Sequence, residues 1–147
     1  MIEALAILML MVKRFEGCKL EAYQDIVGVW TIGWGETLNV VEGMVWSQGQ
    51  ADDVLRQRLG QFLLATLKRC PALHLASPEK LAACTSLAYN IGVGAFGASS
   101  VSRCTMRQEF EQGRKSFLLW NKAGGRVVRG LTIRRQAEAT KYAERSY

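Results

Sequence analysis

The chain opens on a nine-residue apolar run, residues 4–12 (ALAILMLMV), held between Glu3 and Lys13-Arg14. A membrane-crossing helix needs about 20 such residues. A secretory signal begins with positive charge and closes on a small-residue cleavage site. The run has neither feature, so residues 2–14 read as a short buried helix ending before Gly17, with no export signal in this chain. From 18 to 37 the period changes. Val29-Trp30-Thr31-Ile32-Gly33-Trp34 alternates behind a Gly28 turn, which predicts a β-hairpin or a three-stranded sheet. Ser47 with Gln50 has the form of a capping box. Behind it Leu55, Leu59, Phe62, Leu63 and Leu67 recur at helical spacing, predicting a long helix over about 48–69 that Pro71 stops.

Ser77-Pro78 supplies an N-cap and first turn for a helix to about Ile91. Its apolar side holds Leu81, Cys84, Leu87, Ala88 and Ile91, and Gly92-Val93-Gly94 closes it. Ser99 or Ser100 predicts the cap of a helix to about Gln112. Residues 114–122 fit a short helix broken by Gly124-Gly125, and Thr132 fits the cap of a last helix to about 145. There is no repeat and no flexible linker. The expected architecture is one α+β domain over 1–147. A small antiparallel sheet lobe spans about 15–46 and a connecting helix 47–70. A mainly helical lobe spans 71–147, with helix 2–14 packed on it, and the cleft between the lobes is a common place for a ligand site.

At 147 residues, 49% hydrophobic, 22% charged and with only 2 prolines, the chain is neither disordered nor collagen-like and can bury a real core. Cys18, Cys70, Cys84 and Cys104 form no C-x-x-C pair, which argues against a zinc knuckle. The one histidine, His74, follows Pro71 in a loop and is read as incidental. The expectation is no metal, no cofactor and free thiols, Cys84 among them buried in the core. The alternative is a disulfide at Cys18, two residues from Glu16, that controls activity. The net charge of +6 is uneven: residues 103–147 hold 11 Lys/Arg against 4 Asp/Glu, while 1–102 hold 8 against 9. Such a basic C-terminal third attracts polyanions, or serves only as a solvated helical face.

Two carboxylates and a hydroxyl carry the candidate chemistry. Glu16 stands at the end of an apolar helix beside Phe15, where a partly desolvated carboxylic acid can donate a proton near neutral pH. Asp25 sits nine residues on, beside the Gly28 turn, in a more solvated place. Thr31 follows on a strand expected to face Asp25 across the hairpin. One acid, one carboxylate and one hydroxyl suit glycoside hydrolysis: the acid protonates the leaving oxygen, and the other two hold a water on the opposite face. Taken alone, a pair of acidic side chains near a hairpin is weak evidence, since most surface Asp and Glu residues carry no chemistry.

The full string is specific. Phe15-Glu16-Gly17, Leu20, Ala22-Tyr23, Asp25, Gly28, Thr31-Ile32-Gly33 and Gly35 closely resemble the active-site segment of phage-type lysozymes, glycoside hydrolase family 24. Ala88-Tyr89-Asn90-Ile91-Gly92-Val93-Gly94-Ala95-Phe96 resembles that family's cleft helix and following loop. Trp120, Ala123-Gly124-Gly125, Gly130-Leu131, Arg134-Arg135 and Glu138 resemble its C-terminal signature.

The resemblance implies a lysozyme-like fold and an inverting muramidase. Its substrate would be the β-1,4 bond between N-acetylmuramic acid and N-acetylglucosamine in peptidoglycan. Glu16 is then the general acid, and Asp25 and Thr31 position water. Tyr23, Trp34, Tyr89 and Asn90 are the expected substrate contacts. Arg134 or Arg135 is a possible partner of Glu16, with at least one of the two a solvated helix charge. The expected partners are glycan strands and, through the basic C-terminal region, the anionic cell envelope. Nucleic acid is not expected, nor is an oligomer. Synthesis in the host cytoplasm and action on the wall in the periplasm follow from the same likeness. A module of a phage tail or secretion system, or a non-catalytic wall-binding protein of the same fold, is the alternative. One departure stands out: Glu36 occupies the position where the family usually has a histidine that makes a structural ion pair. The substitution puts local stability in question and would place a second carboxylate near Asp25 if the two are close.

Overall fold

The computed structural model describes residues 1–144. Helix α1, Ile2–Phe15, buries Ala4, Leu8, Met9, Met11 and Val12. The N–H of Glu16 closes it on the carbonyl of Val12 at 2.9 Å. No helix among the described residues is long and apolar enough to cross a membrane.

Strands β1, Lys19–Gln24, and β2, Trp30–Gly33, form an antiparallel hairpin with Tyr23 opposite Thr31 and Gln24 opposite Trp30. Among the described residues no full third strand joins this sheet; isolated bridges at Glu21–Val45 and Ile32–Glu36 finish the lobe. Gly33 is required to be glycine, because its φ is +65° and an added Cβ would come within 2.9 Å of the Trp46 ring.

Helix α2, Gln48–Arg69, starts on a reciprocal capping box between Ser47 and Gln50 and ends before Pro71. Leu55, Leu59, Leu63 and Leu67 face the core, while Phe62 is half-buried against Tyr89. Helix α3, Pro78–Ile91, is capped by Ser77 as its sequence predicts. It is not one-sided, however: every residue from Leu81 to Ala88 is buried. The helix runs through the middle of the helical lobe, with α1, α2 and α7 around it. Its polar side chains are satisfied internally, Thr85 Oγ1 donating to the carbonyl of Leu81 and Ser86 Oγ to Glu138.

Helices α4, Val93–Gly97, and α5, Ser100–Met106, follow, with Ser99 capping α5. The single helix expected to reach Gln112 is broken, since Gln108 adopts a φ of +60°. Helix α6, Phe110–Ser116, and a 3₁₀ turn over Phe117–Trp120 replace the helix expected over 114–122. Strands β3, Lys122–Ala123, and β4, Arg126–Val127, form a short hairpin about Gly124-Gly125. Helix α7, Arg129–Ala143, starts one turn before Thr132, with Val128 at its N-cap position. The Thr132 hydroxyl is engaged elsewhere, accepting from Asn121 Nδ2 at 3.2 Å. The expected helix limit near residue 145 lies outside the described residues. All four cysteines are free thiols, Cys70, Cys84 and Cys104 buried and Cys18 half-buried.

Candidate active site

Glu16 sits where α1 stops, with the extended backbone of a C-cap. Its side chain is 33% exposed. Arg134 Nη1 donates to Glu16 Oε1 at 3.1 Å across 118 residues of sequence. The same guanidinium lies 5.4 Å from the centre of the Phe15 ring.

Neither Arg134 nor Arg135 is a solvated helix charge, because both are buried, at 5% and 0% exposure. Helical spacing brings Glu138 under both of them. Arg135 Nε pairs with Glu138 Oε1 at 2.7 Å, and Arg134 Nε approaches Oε2 at 3.4 Å. The Ser86 hydroxyl adds a 2.5 Å hydrogen bond to Oε2. Burial pushes the Glu138 carboxyl up, and Arg135, Ser86 and Arg134 pull against it. Arg135 does not touch Glu16 but donates to the carbonyl of Trp120 at 3.4 Å. The cluster therefore anchors one cation, Arg134, and aims it at Glu16.

Asp25 lies in the turn of the hairpin. Its Oδ1 accepts from the N–H groups of Val27 at 3.0 Å and Val29 at 2.8 Å. Thr31 is buried, and its hydroxyl donates to the carbonyl of Val29 at 3.0 Å. Thr31 does not pair with Asp25 directly: its cross-strand partner is Tyr23, and Asp25 is two residues further, where the chain is already turning. The carboxylate and the hydroxyl are brought together by Val29, one side chain holding its N–H and the other its C=O.

Of the expected substrate contacts, Tyr23 is half-buried with the Lys19 ammonium 4.3 Å from its ring centre. Tyr89 stands edge-on to Phe62, ring centres 5.0 Å apart. Burial raises its phenol, and the charges of Glu16 and Glu36 add to the effect, offset in part by Arg58 and Arg134. Tyr89 is thus the side chain common to the Glu16 side and to a cavity of about 540 Å³ beside α2, which Trp34, Trp46, Phe62, Glu36 and Arg58 also line. Glu16, Asp25 and Thr31 are not among that cavity's walls. Asn90 is exposed next to Tyr89.

Trp34 lines the cavity, but its indole N–H donates to Asp52 Oδ1 at 2.8 Å. That contact, eighteen residues apart, has no sequence signal. Glu36 pairs with Arg58, whose Nη2 lies 2.9 Å from both carboxylate oxygens. The Glu138 contacts, by contrast, were legible from its i+3 and i+4 spacing to Arg135 and Arg134.

The model of the phage lysozyme family matches residues 13–138. The chain belongs to the phage lysozyme family. It is 38% identical over 136 residues to the endolysin of Acyrthosiphon pisum secondary endosymbiont phage 1, covering 88% of this chain and 90% of that one. It spans about half the length, 50%, of the endolysin of Bacillus phage B103. Among solved structures, the muramidase domain of SpmX from Asticaccaulis excentricus superposes with a TM-score of 0.84 at 27% identity, covering 94% of this chain and 95% of that one. The endolysin from Escherichia coli O157:H7 phage FAHEc1 gives 0.83 at 28% identity, covering 96% and 93%. This phage lysozyme is accordingly a glycoside hydrolase of the endolysin kind, with peptidoglycan as its substrate.

Proposed function

We propose that the chain cleaves the β-1,4 bond between N-acetylmuramic acid and N-acetylglucosamine with inversion, using Glu16 as general acid and Asp25 with Thr31 to hold the attacking water. The observation that carries this reading is the pair of clamps: Val29 clasps Asp25 and Thr31 together, and Arg134 holds Glu16. Glu16 gives its proton to the glycosidic oxygen as that bond breaks. Water adds to the anomeric carbon from the opposite face and loses its proton to Asp25. Asp25 Oδ1 is occupied by two backbone N–H groups, so Oδ2 is the oxygen left for water. The Thr31 proton is used on Val29, so its oxygen acts as an acceptor toward that water. Tyr23, Tyr89 and Asn90 contact the glycan, and Trp34 does so through the ring face that lines the cavity. No cofactor takes part. The enzyme acts as a monomer on glycan strands, is made in the host cytoplasm and works at the wall.

Glu16→Gln keeps the shape and removes the proton, so hydrolysis of purified cell walls should fall by about 10²–10⁴-fold or more with the thermal melt unchanged. A variant that clears walls at more than a tenth of the normal rate would remove Glu16 from the acid role. NMR of the first-formed product should show the α anomer. A β product would make Asp25 a nucleophile rather than a base.

A further inference from the structure

We propose that Asp52 is a positioning residue for the hydrolysis: its carboxylate fastens the segments that carry Glu16 and Thr31 to one point on α2. The inference rests on the roles proposed above for those two residues. Asp52 Oδ1 accepts from Trp34 Nε1 at 2.8 Å and from Gln48 Nε2 at 2.9 Å, and Oδ2 pairs with Lys13 Nζ at 3.1 Å. Lys13 lies three residues before Glu16, in the last turn of α1, and Trp34 lies three residues after Thr31. The Lys13 ammonium also sits 5.4 Å from the Trp34 ring centre, so the two segments touch each other as well as Asp52. Gln48 reaches Cys18 Sγ at 3.8 Å, two residues beyond Glu16. One carboxylate thus gathers the end of α1, the strand exit after β2 and the first turn of α2.

Lys13 and Asp52 keep 29% and 27% side-chain exposure, and pairs that wet contribute little to stability. Their position matters more. General acid and water-holding hydroxyl come from different elements and must be in place together, and a misplacement of about 1 Å can lower the rate about 10²-fold. Arg134 fixes Glu16 from the helical lobe; nothing in that clamp fixes it relative to the hairpin. The Asp52 knot does. The hydrogen bonds from Trp34 and Gln48, with Lys13, hold the Asp52 carboxyl below its ordinary range.

The test is steady-state kinetics on a soluble peptidoglycan fragment, with the Trp34 indole N–H followed by NMR. Asp52→Ala should lower kcat about 10–100-fold while KM stays within about threefold, and should shift the indole signal. Asp52→Asn keeps an acceptor for Trp34 and Gln48 but loses the ion pair with Lys13, the tie to the Glu16 segment, so it should recover only part of kcat. Trp34→Phe removes the indole donor together with part of the ring, and its loss of kcat should not be additive with that of Asp52→Ala. A drop in Tm with kcat and KM unchanged would reduce Asp52 to a scaffold role and overturn the proposal, as would an unmoved indole signal or additive losses. Activity surviving in Glu16→Gln would instead overturn the underlying mechanism, which the indole signal does not depend on.

Discussion

Glu36, the departure from the family pattern expected from the resemblance, makes an ion pair of its own with Arg58. Its carboxylate accepts from the N–H groups of Thr37 at 3.1 Å and Leu38 at 2.9 Å as well as from Arg58. Burial pushes this carboxyl up, but the Leu38 N–H, Arg58 and the Thr37 N–H outweigh it and hold it below the ordinary range. A carboxyl depressed by folding stabilises fully above its unfolded value, and that contribution is lost as pH falls through the folded value. Glu36→Gln should therefore cost about 1–2 kcal/mol at pH 7, the lower part of the range for charged hydrogen bonds because Arg58 is partly solvated. The difference from the parent protein should shrink below about pH 4. Urea melts at the two pH values check this, and an equal loss at both would assign the cost to packing instead.

At the scale of elements, α6 meets the end of α7 at Gly113. Replacing a mid-helix glycine with alanine normally gains up to about 1 kcal/mol of helix propensity. Here the added Cβ would lie 2.6 Å from Tyr142 Oη and 3.2 Å from its Cζ. Tyr142 cannot withdraw cheaply, since it is fully buried and its hydroxyl is bonded to Thr105 Oγ1 at 2.8 Å. Overpacking should win, and Gly113→Ala should lose about 1–3 kcal/mol in chemical denaturation. The loss should be smaller in a Tyr142→Phe background, where the nearest atom is gone.

For the whole molecule, the charge field is weaker than the composition suggests. Of the 11 cations in 103–147, Arg134 and Arg135 are internal and neutralise Glu138 and Glu16 rather than facing outward. Arg114 is paired with Glu111 at 2.6 Å and Lys141 with Glu144 at 2.8 Å. Arg103, Arg107, Lys115, Lys122, Arg126 and Arg129 remain exposed on this C-terminal face. If that face attracts an anionic wall, binding to intact walls should weaken with salt, because screening shortens the reach of charge to about 10 Å at 0.1 M. Reversing Arg107 and Lys115 to Glu should lower wall affinity several-fold by pelleting assay, with turnover of soluble fragments nearly unchanged. Equal losses on both substrates would point to the fold or the site instead.

What the chain determined by itself was local. Ser47 with Gln50 and Ser77 with Pro78 specify helix starts that appear where their spacing puts them, since capping involves atoms only two or three residues apart. The placement of Glu16 at a helix end and of Asp25 and Thr31 in one hairpin was legible for the same reason, since the three lie within sixteen residues. The later helices were less so. Thr132 and the 99–122 stretch misled because Asn121 claims one hydroxyl and Gln108 takes a left-handed backbone, choices made by packing rather than by propensity. Only the tertiary structure could bury Arg134 and Arg135, since their partner Glu138 compensates their desolvation inside a core that α1 and α3 complete. Only it could join Lys13, Trp34 and Asp52, or Glu36 and Arg58. A charge–charge or indole–carboxylate contact depends on distance in space, and these pairs are separated by 18 to 39 positions along a chain whose local pattern says nothing of their meeting.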